Sequence, residues 1–373
     1  MEAGVSGSGV VNAEGMIPPM QAVLRLCRQI EAPSEEWRAK ARRHLDTLTK
    51  PLGSLGRLEE IAAQVVAIRQ EDFTVPPGKA VYIFAADHGV AAEGVSAYPS
   101  EVTRQMVLNF LAEGAAINVL SRLHGVALQV VDVGVDADFD PAPRLLQRKV
   151  RKGARNMLRE PAMSEDELAR ALEIGAGLAA EAADAGHTFL ALGEMGIGNT
   201  TAASAITCAL TGAPAALATG RGTGLGAEAH ARKIGVVEAA VARHFGGPGP
   251  AAPLEILRCV GGLEIAAMTG MALAAARHRL AIVADGFIST AAAALAAALE
   301  PKVRGYLIAG HRSEEPGHRL LLERLGLEPV LALDMRLGEG SGAVLAMPVL
   351  ESAVTLYARM ATFASAGVSG ASQ

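Results

Sequence analysis

Aromatic side chains make up only 3% of this 373-residue chain, too few for the stacking platforms that hold single-stranded nucleic acid. A concentrated positive surface is missing as well. The formal net charge is −5 and Lys and Arg are scattered, which excludes the electrostatic footprint of a nucleic-acid binder. Cysteine is scarce: Cys27, Cys208 and Cys259 are far apart, odd in number and without C-x-x-C spacing. A disulfide framework and a zinc site are therefore not expected, and a reducing cytoplasm is the simplest location. No H-x-x-x-H or similar ligand spacing occurs, so no metal is called. Residues 1–15, MEAGVSGSGVVNAEG, show no basic stretch followed by an apolar one, which speaks against a secretory signal; they read as a leader without structure. The longest charge-free interval runs from Glu194 to Arg221, but Asn199, Thr200, Thr201, Ser204, Thr207, Gly212 and Pro214 interrupt it. It falls short of the roughly 18 consecutive apolar residues of a membrane span and reads as a buried helix.

Half of the residues are hydrophobic, enough for a large core. Strand-like runs recur at 80–87, 126–133, 187–194, 279–285, 304–310 and 329–335 with helical stretches between them. Near-continuous apolar strands alternating with helices imply an α/β fold with a parallel sheet covered on both faces. Several of these runs end in chemically useful groups: Asp87-His88-Gly89, Asp132, Glu194, Asp285-Gly286, Gly310-His311, and Glu339 a few positions past the last. In open α/β sheets the ligand lies outside the carboxyl ends of the strands, so these six groups are expected to line one crevice. The first 75 or so residues lack the alternation. They predict a helix capped by Ser34 and another over about 55–70, and residues 344–363 predict a helix at the other end.

Two glycine-rich stretches carry the chemistry. DMRLGEGSGA (334–343) sets Glu339 among three glycines after a strand-like run. The same residues also suit a plain strand-to-helix turn. Gly338, Gly340 and Ala343 match a loose dinucleotide fingerprint, but the acidic residue required about 20 positions on is absent, Tyr357 and Ala358 standing there. GEMGIGNTTAASA (193–205) reads as a strand end, a tight turn and a helix start, with Asn199, Thr200 or Thr201 as cap; such a turn suits a phosphate. No Lys follows its last glycine, so it is not a Walker A loop. GRGTGLG (220–226) adds a flexible loop, with Arg232 and Lys233 shortly after. Two other readings of the same residues stay open here: a metal-dependent phosphohydrolase using Asp87, His88, Asp285, His311 and His318, and a nucleotide-binding protein without catalysis.

TKPLGSLGRLEE (49–60), AADHGV (85–90), GVSAYPSEVTRQMV (94–107), GEMGIGNTT (193–201), GRGTG (220–224), VGGLEIAAMTG (260–270), DGFIST (285–290), GHRSEEPGHR (310–319) and RLGEGSGA (336–343) follow one another in the order seen in a single family. Over about residues 20–365 the chain closely resembles nicotinate-nucleotide:dimethylbenzimidazole phosphoribosyltransferases. The resemblance implies transfer of 5-phosphoribosyl from nicotinate mononucleotide to 5,6-dimethylbenzimidazole without a cofactor, by a homodimer. Each subunit would have a Rossmann-like large domain (76–343) and a small helical domain made from 16–75 plus 344–373. It also implies roles for individual residues. Glu339 is the catalytic base, and Glu194 a second carboxylate beside the reacting sugar. Gly196, Gly198, Asn199, Thr200, Gly222, Lys233 and Asp285 are expected to bind the nucleotide and its phosphate, and Asp87, His88, Tyr98, Met106 and Leu337 to form the acceptor-base pocket.

Overall fold

The computed structural model describes residues 18–73, 77–222, 224–246 and 251–369. The expected leader, residues 1–15, lies outside them. Six parallel strands form one sheet: β1 (Gly78–Ala86), β2 (Ala127–Gly134), β3 (Leu145–Gln147), β4 (His187–Met195), β5 (Ala281–Ala284) and β6 (Leu307–Ala309). Their order is β3-β2-β1-β4-β5-β6, the doubly wound order whose direction of winding reverses between β1 and β4. The register aligns the carboxyl ends. Phe84 lies beside Glu194, Leu192 beside Ala284, and Ala284 beside Ala309, so Glu194 near the end of the β4 ladder and Asp285 and His311 just past β5 and β6 reach one edge.

Five of the expected strands are present. The run at 329–335 is not a strand; it makes only an isolated bridge from Leu331 to His311, and Leu333 faces solvent. The sixth strand is instead β3, three residues long with only Leu145 buried, too short to give an alternation signal.

Helices cover both faces of the sheet. Leu263–Arg277 and Phe287–Leu299 are alanine-rich and buried nearly all round, as expected of helices inside a layered core rather than on its surface. Leu263–Arg277 crosses Glu165–Asp184 backbone to backbone: a methyl at Gly175 would overlap the Ala267 carbonyl, and one at Gly270 the Leu172 carbonyl. Glu165–Asp184 opens on a reciprocal cap, with Glu167 N–H donating to Ser164 Oγ and Ser164 N–H to Glu167 Oε2. Ser34 caps Glu35–Thr47 as expected, accepting from Trp37 N–H.

The chain's two ends meet where Leu48 bridges Thr362 and Thr49 N–H donates to the Ala361 carbonyl. Ser341–Arg359 packs on Arg57–Arg69 and also on β4, whereas Pro18–Arg28 packs on Glu165–Asp184 and Leu263–Arg277. A single hydrophobic cluster runs through all of these elements. By length and composition Glu101–Leu123 and Ser341–Arg359 could cross a membrane, but here Val107 and Phe110 of the first, and Val344, Met347 and Leu350 of the second, are in that common core. The charge-free interval 195–220 folds as Asn199–Thr211 and Ala215–Ala218, broken at Gly212.

Candidate active site

A cavity of about 420 Å³ opens over the carboxyl ends of β4, β5 and β6, with the helix that follows β1 on one side. Its floor is acidic. Glu194, Asp285 and Glu339 all line it, and all are buried.

Glu339 is held by an unusual backbone. Gly338, Glu339 and Gly340 have φ of 86°, 65° and 86°, three successive left-handed residues. Glycine adopts that region freely, whereas an L-residue such as Glu339 does so at a cost of about 1–2 kcal/mol. Strain of this kind persists only when the surroundings over-determine it, and here they do. Asp285 accepts from Gly340 N–H (3.2 Å) and Ala343 N–H (2.9 Å), gripping the first turn of Ser341–Arg359 from outside the helix. Ser341 Oγ donates to the Gly338 carbonyl at 2.6 Å, and Glu339 N–H donates to Glu194 Oε1 at 3.4 Å.

Burial governs the electrostatics. The Glu339 carboxyl is pushed up to about 7, first by desolvation and then by Asp285, with the Ile117 N–H offsetting part of it; its Oε2 is buried without a hydrogen-bond partner. Desolvation, Asp285 and Glu264 push Glu194 to about 8, although Asn199 Nδ2 donates to its Oε2. Asp285 is raised by desolvation despite His311 and the backbone donors. A group poised near neutrality in a water-poor cavity can take and return a proton.

On the opposite wall Thr200 and Gly222 line the cavity. Lys233 is behind them, fully buried, donating to Thr200 Oγ1 at 2.8 Å. Desolvation lowers its ammonium to about 8 while Glu315 works the other way. Glu315 Oε1 accepts from Gly222 N–H at 2.9 Å, and Arg336 Nη1 donates to the Gly222 carbonyl at 3.3 Å.

This arrangement can be set beside known proteins. A family model described as phosphoribosyltransferase matches residues 30–368. A nicotinate-nucleotide–dimethylbenzimidazole phosphoribosyltransferase of Geobacter sulfurreducens is 52% identical over 89% of this chain and 94% of its own length. The enzyme of the same name from Chloroflexus aggregans is 54% identical over 88% and 93%. The crystal structure of a third, from Thermus thermophilus, superposes with a TM-score of 0.85 at 49% identity, covering 91% of this chain and all of the other. The chain belongs to the nicotinate-nucleotide–dimethylbenzimidazole phosphoribosyltransferase family.

Of the positions singled out by likeness to this phosphoribosyltransferase family, ten share the cavity: Glu194, Gly196, Asn199, Thr200, Gly222, Asp285, Glu339, Tyr98, Met106 and Leu337. Four do not line it. Gly198 is the N-cap of Asn199–Thr211 at φ 98°, and no side chain caps that helix, so the expected capping by Asn199, Thr200 or Thr201 is absent; Asn199 turns to Glu194 instead. Lys233 is one layer back. Asp87 turns away to accept from Asp136 N–H at 2.8 Å, and His88 is paired with Glu264 beneath Gly196. Asp132 is likewise outside the expected crevice, paired with Lys149 at 2.6 Å.

Gly286, Ser289, His311, Ser313, Glu315 and Arg336 also line the cavity; of these, Gly286 and His311 are among the strand-end groups expected there, whereas the other four carry no role in the sequence reading. The signal was present, since DGFIST, GHRSEEPGHR and RLGEGSGA contain all six. Only the β5–β6 register, which brings those blocks side by side, reveals it. Among the described residues no three His, Cys, Asp or Glu are grouped to hold a metal ion.

Proposed function

We propose that this protein transfers the 5-phosphoribosyl group of nicotinate mononucleotide to 5,6-dimethylbenzimidazole, giving α-ribazole 5′-phosphate and nicotinate, with Glu339 as general base. The observation that carries the reading is Glu339 itself: a buried carboxyl near neutral pKa, fixed in a left-handed turn and lining the cavity.

Nicotinate departs from a pyridinium nitrogen that is already cationic, so the electron pair of the breaking C1′–N bond goes to that nitrogen and no acid has to protonate it. One benzimidazole nitrogen forms the new bond to C1′ from the opposite face, converting the β-nucleotide to the α-product. As it does so the other nitrogen's hydrogen becomes acidic and Glu339 accepts it. The developing oxocarbenium charge is stabilised by Glu194 across the same floor.

Gly196, Asn199 and Thr200, at the start of Asn199–Thr211, together with Gly222, are assigned to the nucleotide, with Lys233 lending positive charge from behind. Tyr98, Met106 and Leu337 are assigned to the acceptor base. Tyr98 and Leu337 are 53% and 54% exposed, apolar surface that a flat aromatic base would cover. Also part of the proposal are a homodimer and the grouping of both chain ends into a small helical domain, which the family resemblance implies, and a cytoplasmic location, which the cysteine usage implies. The location is supported by three free, buried cysteines, and the grouping of the ends by the Leu48–Thr362 bridge.

The test is direct. The protein is incubated with nicotinate mononucleotide and a panel of benzimidazoles, purines and phenols, with and without chelator, and the products are identified. Ribazole phosphate and nicotinate should form in equal amounts and survive chelation. Absence of ribazole phosphate would leave a nucleotide-binding protein, and loss of activity with chelator would favour metal chemistry.

A further inference from the structure

Likeness to the family assigns Asp285 to the nucleotide, but its carboxyl oxygens face the protein. Oδ2 accepts from Gly340 N–H at 3.2 Å and Oδ1 from Ala343 N–H at 2.9 Å. Asp285 follows β5 and stands one residue before Gly286, the N-cap of Phe287–Leu299. It therefore adjoins the start of its own helix and serves a different one. Gly340, the N-cap of Ser341–Arg359, has no side chain to accept the free N–H groups of that first turn, and the acceptor comes instead from the end of β5.

The other supports of the turn are of a different kind. On one side it rests on main chain: a Cβ on Gly193 would come to 2.9 Å from the Glu339 carbonyl oxygen, and one on Gly340 to 3.2 Å from Gly193 Cα. Such contacts block movement toward the sheet but do not fix φ. The bond from Ser341 Oγ to the Gly338 carbonyl lies within the turn and travels with it. Glu339 N–H reaches Glu194 Oε1 only at 3.4 Å, long for a hydrogen bond. The two bonds to Asp285 are shorter, and they hold the residues directly after Glu339. Asp285 has little room to swing away. His311 Nε2 is 3.9 Å from its Oδ1, and the His311 ring fills the space that side chains at Gly286 and Gly342 would need, one beside Asp285 in sequence and the other in the turn it holds.

We propose that Asp285 is a positioning residue for Glu339: by capping Ser341–Arg359 from the end of β5 it holds the left-handed turn that aims the base into the cavity. The proposal rests on the reading of Glu339 as general base, and it divides the labour. Glu339 takes the proton, and Asp285 contributes to turnover only through Glu339.

The experiment is a double-mutant cycle on the full-length protein: wild type, Asp285→Asn, Glu339→Gln and the double variant, each with nicotinate mononucleotide and 5,6-dimethylbenzimidazole. Asn keeps the shape of Asp285 but offers one acceptor oxygen in place of two and sets an amide against an N–H. Rates are taken near pH 9, above the values of about 7 and 8 of Glu339 and Glu194. Asp285 helps to hold the Glu339 carboxyl up, and at that pH a shift in its titration does not enter. Asp285→Asn should lower kcat about 10- to 100-fold, the scale of a misplacement of about 1 Å. KM and the equilibrium Kd for nicotinate mononucleotide should stay within about twofold, the scatter of independent effects. In the double variant kcat should match that of Glu339→Gln within the same margin, because a base that is absent cannot be misplaced. Effects that multiply, or a rise in KM and Kd with kcat retained, would show Asp285 acting on the nucleotide itself and overturn the proposal. Amide hydrogen exchange at Gly340 and Ala343 is the second readout. It should quicken in Asp285→Asn, and protection equal to wild type also overturns the proposal. Asp285→Ser, too short to reach either N–H, carries the same expectations and keeps the test open if Asp285→Asn does not fold. The base assignment fails separately: it falls if Glu339→Gln alone turns over like wild type, while the exchange still decides whether Asp285 holds the turn.

Discussion

Replacing Glu339 by Gln should make the enzyme slower and the fold sturdier at once. The carboxamide has nearly the same shape and tolerates the same backbone, but it cannot accept a proton. Loss of a general base costs about 10²–10⁴-fold, so kcat should fall at least about 100-fold, equivalent to about 3 kcal/mol of barrier, while nucleotide affinity is retained. The stability change has the opposite sign. The fold moves this carboxyl from 4.5 to about 7, which holds about 3 kcal/mol against its ionised form. A carboxyl raised in the folded state favours folding below its unfolded value and loses that contribution as pH rises through the folded one. Wild type is therefore burdened above pH 7, and Gln is not. Melting temperature at pH 8 should be higher in the variant, with a gain of at most about 3 kcal/mol, and the advantage should vanish toward pH 4.5. Single-turnover rates and thermal melts across pH measure both. Near-wild-type turnover would remove Glu339 from the mechanism; a variant less stable at pH 8 would refute the account of its burial.

In the wild-type enzyme kcat/KM should climb with pH through the values near 7 and 8 of Glu339 and Glu194, while the stability of the empty protein declines over the same interval; a flat profile between pH 6 and 9 contradicts both assignments. Gly340→Ala would force an L-residue to φ 86° and bring its methyl to 2.8 Å from Val81 Cγ2. The expected loss is about 1–2 kcal/mol or more, with kcat reduced as Glu339 is displaced, and unchanged kcat would show that the turn does not position the base. Tyr98 and Met106 offer an adaptable apolar wall, so 5,6-dimethylbenzimidazole and benzimidazole competing in one reaction should be used within about 200-fold of each other, the range that small apolar differences can give; exclusive use of the dimethyl base counts against that wall.

Much of the sheet could be read from the chain because buried parallel strands are long apolar runs, as in AVYIFAAD and HTFLALGE. The exceptions have physical causes. Leu145–Gln147 is a three-residue edge, too brief for any period, and residues 329–335 have an apolar composition without the burial that would make them a strand. At the site, Glu194, Asp285 and Glu339 were legible because each ends a strand-like run or is set among glycines. Asp87 and His88 looked equivalent and are not, since the direction of a side chain past a strand end depends on its partner: Asp136 N–H draws one away and Glu264 the other. His311 and Glu315 needed the register of β5 and β6 before their neighbours were known. Lys233 follows the glycine loop closely in sequence, but only the packing shows that Thr200 stands between it and the cavity.

The crossing at Gly175 and Gly270, where two helices touch main chain to main chain, leaves the layers beneath the cavity no slack. Neither helix can slide or roll past the other without colliding with a carbonyl, so one whole face of the sheet behaves as an anvil. Whatever accommodation substrates require must come from the cavity side, where the exposed side chains of Tyr98 and Leu337 are not pinned in this way. Catalysis in this fold is then work done by short segments against a stationary support, and substitutions that lighten the support should blunt the chemistry without touching any atom that meets the substrate.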